Sequence, residues 1–509
     1  MQGKTRRRFI EESFATLGAA LVGGPAALVA AQPAGSPRPG ARPAAPERPN
    51  VLLILTDQQR IDALGFRGRS VCRTPNLDRL AKEGISFDRA MTPTPICLPA
   101  LTALFTSQYG HQTKTMSNSD NLETDPALLT RLKAKGYQID FAGKWGMGKS
   151  VPSAWVDRLV ANDRPAYSKW CLDQGLPDGW ALNDPKTLSP RRRDVSTPRV
   201  AVNPIPATAT NEAWTIDHAL TLLDTRDRGR PFFLTCALNG PHPPFKIPEP
   251  YFSMYDPATI PQPPNFGPTP GEPSALGRSF YRTVFKDHGE TWNAWRKTAA
   301  VYYGFATMVD AQIGRLIERV RQEGVLDRTL VIVSADHGEM LGQHGLWQKY
   351  HAYEEALRIP LIMRAPWLID AGVRSTAPAS LLDVAPTVLS ACGAGAPSSC
   401  QGVDLSPAFS GPSAPTPRYL FSEFQPKADW HGVVDWRLVT DDRYKYVWNH
   451  GDIEECYDLA SDPHELKNLA ASPAHAPVVT RLRAELRDWM RRTHDALLPA
   501  FEQRPRASA

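Results

Sequence analysis

The chain has 509 residues, a 42% hydrophobic share, a 22% charged share and a formal net charge of +5. That length exceeds one small core and calls for a large domain with a smaller one, while the ordinary composition excludes a collagen, a coiled coil and a disordered polymer. A charge this small, with Arg191-Arg192-Arg193 read as a solvated loop, also argues against a nucleic-acid partner, which asks for a concentrated basic face.

Residues 1–31 are read apart from the fold. Thr5-Arg6-Arg7-Arg8-Phe9-Ile10 is similar to a twin-arginine export signal, and the Ala/Gly/Leu/Val stretch from Phe14 to Ala31 ends in small residues. Gly23, Gly24 and Pro25 interrupt that stretch, which falls short of the roughly 20 residues a spanning helix needs, so stable membrane insertion is not expected. Export implies a periplasmic or secreted protein. Residues 32–48 form a Pro/Ala/Gly linker with nothing to bury.

Order begins with the continuous apolar run 50–55, the pattern of a parallel strand covered by helices on both faces. A helix is predicted over 126–135, with Gly136 as its C-terminal cap, and a second buried strand over 137–142. Residues 151–211 are irregular and rich in Pro, Trp and Asn; strand 231–238 follows, then a second irregular stretch over 250–298. Segments that long are expected to wall a pocket. A helix over 299–323 leads into strand 329–335. Alternating strands and helices predict an α/β domain over 49–414 with a mostly parallel central sheet between helices. Beyond Pro415, short strands at 436–439 and 444–448 and a closing helix over 478–493 predict a smaller α+β subdomain, 415–509, with a short antiparallel sheet.

Each long strand ends in polar residues: Asp57-Gln58, Gly143-Lys144, Asn239-Gly240-Pro241-His242 and Asp336-His337. Ligands of open α/β sheets gather at the carboxyl ends of strands, so these groups should converge on one site. Asp57, Gln58, Asp336 and His337 offer oxygens and one imidazole, a donor set for a hard divalent cation: calcium, or magnesium or manganese. Pro99 suits a first helical turn, which puts Cys97 at a helix N-terminus, where the dipole favours a thiolate and anions. Seven cysteines leave at least one unpaired in an exported protein; Cys392 and Cys400 are spaced for a small loop bridge, and the absence of a CxxC pair argues against structural zinc.

Taken in order, residues 50–58 (NVLLILTDQ), Cys97-Leu98-Pro99, Gly143-Lys144-Trp145, Pro241-His242, 334–342 (SADHGEMLG), 347–349 (WQK), Tyr353-Glu354-Glu355, Arg358-Ile359-Pro360, 382–387 (LDVAPT), 444–446 (YKY) and 455–459 (ECYDL) resemble the sulfatase branch of the alkaline-phosphatase superfamily. The resemblance covers about residues 49–490. It implies an alkaline-phosphatase-like fold and hydrolysis of a small-molecule or carbohydrate sulfate ester. In that family the cysteine matching Cys97 is oxidised to formylglycine by a formylglycine-generating enzyme, and the aldehyde hydrate attacks sulfur. The same resemblance puts a cation on Asp57, Gln58, Asp336 and His337 beside residue 97. It also turns Lys144, His242 and Lys349 toward the sulfuryl group and the leaving oxygen, with His242, titrating near its usual pH, as proton donor. Asp57-Gln58, where many relatives have Asp-Asp, is similar to choline-sulfatases and phosphonate monoester hydrolases.

Two positions depart from that pattern. Leu101 stands where the family's modification motif carries arginine, and Gly146 where a histidine follows the lysine by two places. The alternatives are a phosphonate monoester or phosphodiester hydrolase using the same site, or a catalytically impaired sulfatase homologue. Residues 143–150 (GKWGMGKS) also satisfy the phosphate-loop pattern; that rival requires a helix starting at Lys149 and leaves Cys97, His242 and Lys349 without a role. A cysteine phosphatase would need arginine six places after the nucleophile, where Ala103 stands, and a two-zinc phosphatase would need carboxylates beside His344 and His351, which read as loop residues lining the pocket. Trp170, Trp180, Trp214, Trp292 and Trp295 could stack on a sugar or quaternary ammonium, or pack their own loops. Oligomeric state is not legible.

Overall fold

The computed structural model describes residues 42–67, 71–149, 152–161, 164–182, 198–411, 419–426 and 432–503. The export signal, most of the linker and Arg191-Arg192-Arg193 lie outside the described residues. In chain order the strands of the larger domain are β1 Asn50–Thr56, β2 Ile85–Met91, β3 Gln138–Gly143, β4 Arg158–Ala161, β5 Val200–Val202, β6 Phe232–Ala237, β7 Phe245–Ile247, β8 Thr329–Ala335, β9 Leu361–Arg364 and β10 Val373–Ser380. Eight of them form one sheet in the order β10-β2-β9-β8-β1-β6-β3-β4; β5 and β7 pair separately. Only β9 runs antiparallel to its neighbours.

The apolar runs make sense on this sheet because both faces are covered. From β1, Leu52 and Ile54 enter a core shared with the helix Trp292–Gln322, while Val51, Leu53 and Leu55 enter the opposite core with Ala100 and Leu104 of the helix Cys97–Thr106. Each of these five side chains is essentially removed from water, a gain of roughly 1.5–3 kcal/mol apiece. The helix Ala127–Ala134 is followed by Gly136 at φ +82°, the left-handed cap the sequence predicts.

Two expectations change. The 151–211 and 250–298 stretches are not loops throughout: they carry β4, the helices Arg164–Asp173, Ser274–Arg278 and Phe280–His288, and the start of the long helix, which begins at Trp292 rather than Ala299. Here apolar spacing is masked by Trp, Pro and Asn, and tertiary packing decides. Trp292 and Trp295 pack on Phe266, Trp295 also on Phe285 and Trp347; Trp170 and Trp214 both pack on Tyr167, and Trp180 lies against the same cluster. All five tryptophans therefore serve packing. Cys392 and Cys400 are not bridged either; all seven cysteines are free thiols, Cys392 at the end of the helix Val384–Ala391.

The C-terminal part is an antiparallel sheet, β11 Leu420–Phe424, β12 Trp436–Thr440, β13 Tyr444–Asn449 and β14 Glu455–Asp458, backed by the helix Ala476–Arg492. It is tied to the larger domain by a buried ion pair, His111 with Glu423, which a second pair inside the subdomain supports. His111 Nδ1 lies 2.7 Å from Glu423 and its Nε2 3.2 Å from the Thr493 carbonyl, so both ring nitrogens donate and the ring is a cation. Arg437, fully buried, pairs with Asp495 at 2.5 Å and lies 3.5 Å from Glu423. Burial opposes the charge on His111, but Glu423 outweighs it and holds the imidazole above its usual pKa. No helix among the described residues is long and apolar enough to cross a membrane.

A raised native pKa means that the His111 increment is fully present below the ordinary value of about 6.5 and is lost as pH rises through the native value. Urea unfolding should show His111→Ala less stable by about 2 kcal/mol at pH 6, with the gap to wild type narrowing at pH 8.5. A gap that does not change with pH counts against the charged ring.

Candidate active site

The four polar strand ends belong to four neighbouring strands, β8, β1, β6 and β3, and they do converge. Three backbone bonds extend the sheet into the loops: Asp57 N–H to Gly240 O at 3.2 Å, Asp336 N–H to Thr56 O at 3.3 Å, and Lys144 N–H to Ala237 O at 2.9 Å. Gly143, at φ +107°, is required here because a Cβ would lie 1.9 Å from the Ala237 carbonyl. Gln58 takes a left-handed φ of 64°, held by the Tyr302 hydroxyl donating to its carbonyl at 2.9 Å. A non-glycine residue there costs about 1–2 kcal/mol, strain of the kind that collects at functional sites.

Asp57, Cys97, Asp336 and His337 bring one ligand atom each within 4.8 Å of one another, all four residues buried. Asp336 Oδ1 accepts the backbone N–H groups of Gln58 at 3.0 Å and His337 at 2.8 Å. His337 donates Nδ1–H to the Gly338 carbonyl at 3.0 Å, which leaves Nε2 as a bare lone pair aimed into the cluster. Burial pushes the His337 pKa down to about 4, so the ring is neutral and ligand-ready. Burial resists ionisation of Asp57, yet the neighbouring ammonium groups, Lys144 first and Lys349 with it, more than compensate and hold it well below the carboxylate range. Asp336 is pushed up to about 7 by burial and by the charge on Asp57. Two buried carboxylates, a neutral imidazole and the Gln58 amide suit a hard divalent cation, whose charge would let both acids ionise together.

Cys97 starts the helix Cys97–Thr106 and points at that cluster: Sγ is 3.7 Å from Asp57 Oδ1 and 3.3 Å from His337 Nε2. Asn118, which sequence reasoning missed, accepts from the Leu98 N–H at 3.0 Å and satisfies the helix N-terminus in place of a capping side chain. Nothing in the sequence marks it, since it lies in a polar run of uncommitted structure. Glu339, also missed, accepts from the Gln58 side-chain amide.

The cationic wall is present. The Lys144 ammonium pairs with Asp57 Oδ2 and lies 3.8 Å from Asp336 Oδ2; Lys349 donates to Gln58 Oε1 at 2.6 Å and to His242 Nε2 at 2.9 Å. His242 departs from expectation. Its Nδ1–H goes to the Pro243 carbonyl at 2.5 Å, and burial together with Lys349 pushes its pKa down to about 3. The ring is therefore neutral, and its Nε2 accepts from the Lys349 side chain.

The two departures from the family pattern meet in space. A Cβ at Gly146 would lie 2.1 Å from Leu101 Cδ1, so a side chain at 146, already strained by a φ of +55°, would have to displace the tip of Leu101. The phosphate-loop rival fails: the described residues after Gly143 contain no helix starting at Lys149, and Lys144 is committed to Asp57. His344 is not a pocket-lining residue. It is buried, bonded to Asn265 at 3.0 Å and Thr269 at 2.8 Å, and stacked on Tyr353. His351 is likewise buried, against Tyr281, and lines a cavity of about 20 Å³ beside Trp436 and Glu455, room for a water rather than a substrate. Two other acid-histidine groups already hold cations of their own, Arg437 at His111, Glu423 and Asp495, and Lys445 at His344, Glu355 and Glu465.

A mostly parallel sheet with a buried acid pair, a helix-borne cysteine and a lysine wall at its carboxyl edge defines a hydrolase of the alkaline-phosphatase superfamily. Residues 49–394 match the Sulfatase family, and residues 342–492 match the C-terminal region of N-sulphoglucosamine sulphohydrolase. The chain belongs to the sulfatase family. It is 28% identical over 450 residues to an ulvan-active sulfatase of Formosa agariphila, covering 87% of this chain and 81% of that protein. A multifunctional alkaline phosphatase superfamily protein, PehA, of Trinickia caryophylli is 29% identical over 528 residues, covering 90% and 98%. Among solved structures, the phosphonate monoester hydrolase of Agrobacterium radiobacter superposes with a TM-score of 0.72 at 25% identity, covering 88% of this chain and 96% of that one.

If Leu101 and Gly146 form one packed unit, Gly146→Ala should destabilise through both φ and collision, and Leu101→Ala should relieve the collision part. Urea midpoints of the two single variants and the double are expected to show favourable coupling of about 1 kcal/mol or more. Strict additivity would show that the two sites do not interact.

Proposed function

We propose that this protein hydrolyses a sulfate monoester at the Asp57–Gln58–Cys97–Asp336–His337 cluster, with a divalent cation, calcium by its oxygen preference, held by Asp57, Gln58, Asp336 and His337, and with Cys97 as the precursor of formylglycine. The observation that carries this is the contact of Cys97 Sγ with Asp57 at 3.7 Å and His337 at 3.3 Å: the nucleophile position lies against the acid pair. Formylglycine, once formed, supplies a hydroxyl nucleophile for sulfur, which a thiol does not.

The chain's own residues then have distinct tasks. Lys144, beside Asp57 and Asp336, stabilises the anionic sulfuryl oxygens. Lys349 faces the leaving oxygen and stabilises the negative charge that develops on it. Neutral His242 positions Lys349 by accepting from it. The apolar Leu101–Gly146 contact takes the place of the family's arginine and histidine, so anion binding relies on the lysines and the cation.

A second reading, phosphonate monoester or phosphodiester hydrolysis in the same site, is favoured by Gln58 at the second acidic position and by the phosphonate monoester hydrolase likeness. Maturation by a formylglycine-generating enzyme and export by the twin-arginine pathway complete the proposal, on the Cys97-Leu98-Pro99 turn and the Thr5–Ile10 segment respectively.

Mass spectrometry of the tryptic peptide containing residue 97, from protein made with a formylglycine-generating enzyme, should show the aldehyde; an intact thiol would identify an impaired homologue. Rates on an aryl sulfate, a phosphate diester and a phosphonate ester rank the two readings, and chelation should abolish the favoured one. Lys144→Ala should slow hydrolysis by about 100-fold or more, whereas Lys149→Ala should leave it unchanged.

A further inference from the structure

Glu339 lies two residues beyond His337 in the chain and is fully buried, and its carboxylate makes no hydrogen bond to Cys97 or to either acid of the pair. Its bonds go elsewhere. One oxygen accepts the backbone N–H groups of Leu341 at 2.9 Å and Gln348 at 2.7 Å; the other accepts from the Gln58 side-chain Nε2. Three N–H donors converge on this carboxyl, so it acts purely as an acceptor.

That arrangement dictates which way the Gln58 amide faces. With Nε2 committed to Glu339, the amide carbonyl must point the opposite way, where it accepts from Lys349 Nζ at 2.6 Å. The second bond of the same carboxylate reaches the residue before Lys349: Gln348 sits in the left-handed region at φ 67°, and its N–H is the one Glu339 holds. One buried acid therefore orients both a ligand carbonyl and the loop that presents the leaving-group lysine. It also accounts for the amide at position 58, because a second carboxylate there, long enough to reach, would confront Glu339.

We infer that Glu339 is a positioning residue: it locks the Gln58 amide with its carbonyl toward the cation and Lys349, so Gln58 and Glu339 form one reciprocal donor–acceptor unit. The inference rests on the cation site proposed above. In a Glu339→Gln variant the new amide keeps its carbonyl for the Leu341 and Gln348 N–H groups and turns an N–H₂ toward Gln58. Gln58 then flips, and its own N–H₂ faces the cation and the Lys349 ammonium. Gln58→Glu in that background restores an acceptor on both sides, because a carboxylate has no wrong face.

Calorimetric titration of the full chain with calcium, backed by melting temperatures in chelator, tests this. Wild type should bind calcium. Glu339→Gln should bind at least about tenfold more weakly, the scale of an outer partner of a metal ligand, and the Gln58→Glu/Glu339→Gln double variant should regain most of that loss. Wild-type affinity in Glu339→Gln overturns the inference while leaving the cation site intact. A double variant no better than the single one, in melting temperature or in affinity, makes Glu339 a structural brace and also overturns it. A wild-type protein that binds neither calcium, magnesium nor manganese sinks the cation site itself, and with it this role for Glu339.

Discussion

Two carboxylates, Asp57 and Asp336, leave adjacent parallel strands at the same level and meet in a space closed to water. Alone they would repel one another strongly enough that one must stay protonated, as the opposite pKa shifts of the pair express. Everything around them can be understood as a response to that charge. Lys144 from the end of β3 sits on Asp57, Lys349 stands one residue removed through Gln58, and the nearby imidazoles of His337 and His242 are neutral. A site so organised favours a cation and, beyond it, a ligand with negative oxygens.

The fold supplies this arrangement without special devices at the acids themselves. Strand order β8-β1-β6-β3 is what brings four sequence-distant loops side by side, and the carboxyl edge is where their backbone groups run out of sheet partners. Beyond Gln58, left-handed backbone also gathers around the lysine. Gln348 and Tyr350, on either side of Lys349, have φ values of 67° and 85°. That conformation is held from outside: Glu339 takes the Gln348 N–H at 2.7 Å, and Trp436 of the C-terminal sheet donates to the Tyr350 carbonyl at 3.0 Å. The smaller sheet thus braces the loop that carries Lys349.

Leu101, part of the core beneath the helix that carries Cys97, is in apolar contact with Gly146. Where the family carries two cationic or hydrogen-bonding side chains, this chain has a methyl group against a backbone. Such a change removes anion-binding groups near residue 97 but leaves the acid pair, the imidazole and both lysines in contact. The result is a pocket whose electrostatics depend on fewer groups, each correspondingly more important.

Much of this was legible in the amino-acid order. Continuous apolar runs determined which segments are doubly covered strands, and polar residues at their ends determined that Asp57, Lys144, His242 and Asp336 would share an edge, because strand direction and side-chain period are local properties. Pro99 and the residues around it likewise determined that Cys97 begins a helix. Only the tertiary structure decided the rest. The helices inside 151–211 and 250–298 depend on aromatic packing between distant segments, the neutrality of His242 on burial beside Lys349, and the pairing of Leu101 with Gly146 on a contact across 45 positions of chain. The orientation of Gln58 was equally invisible, since an amide's two faces are told apart only by the partner each one meets, and Glu339 reaches it from 281 residues away.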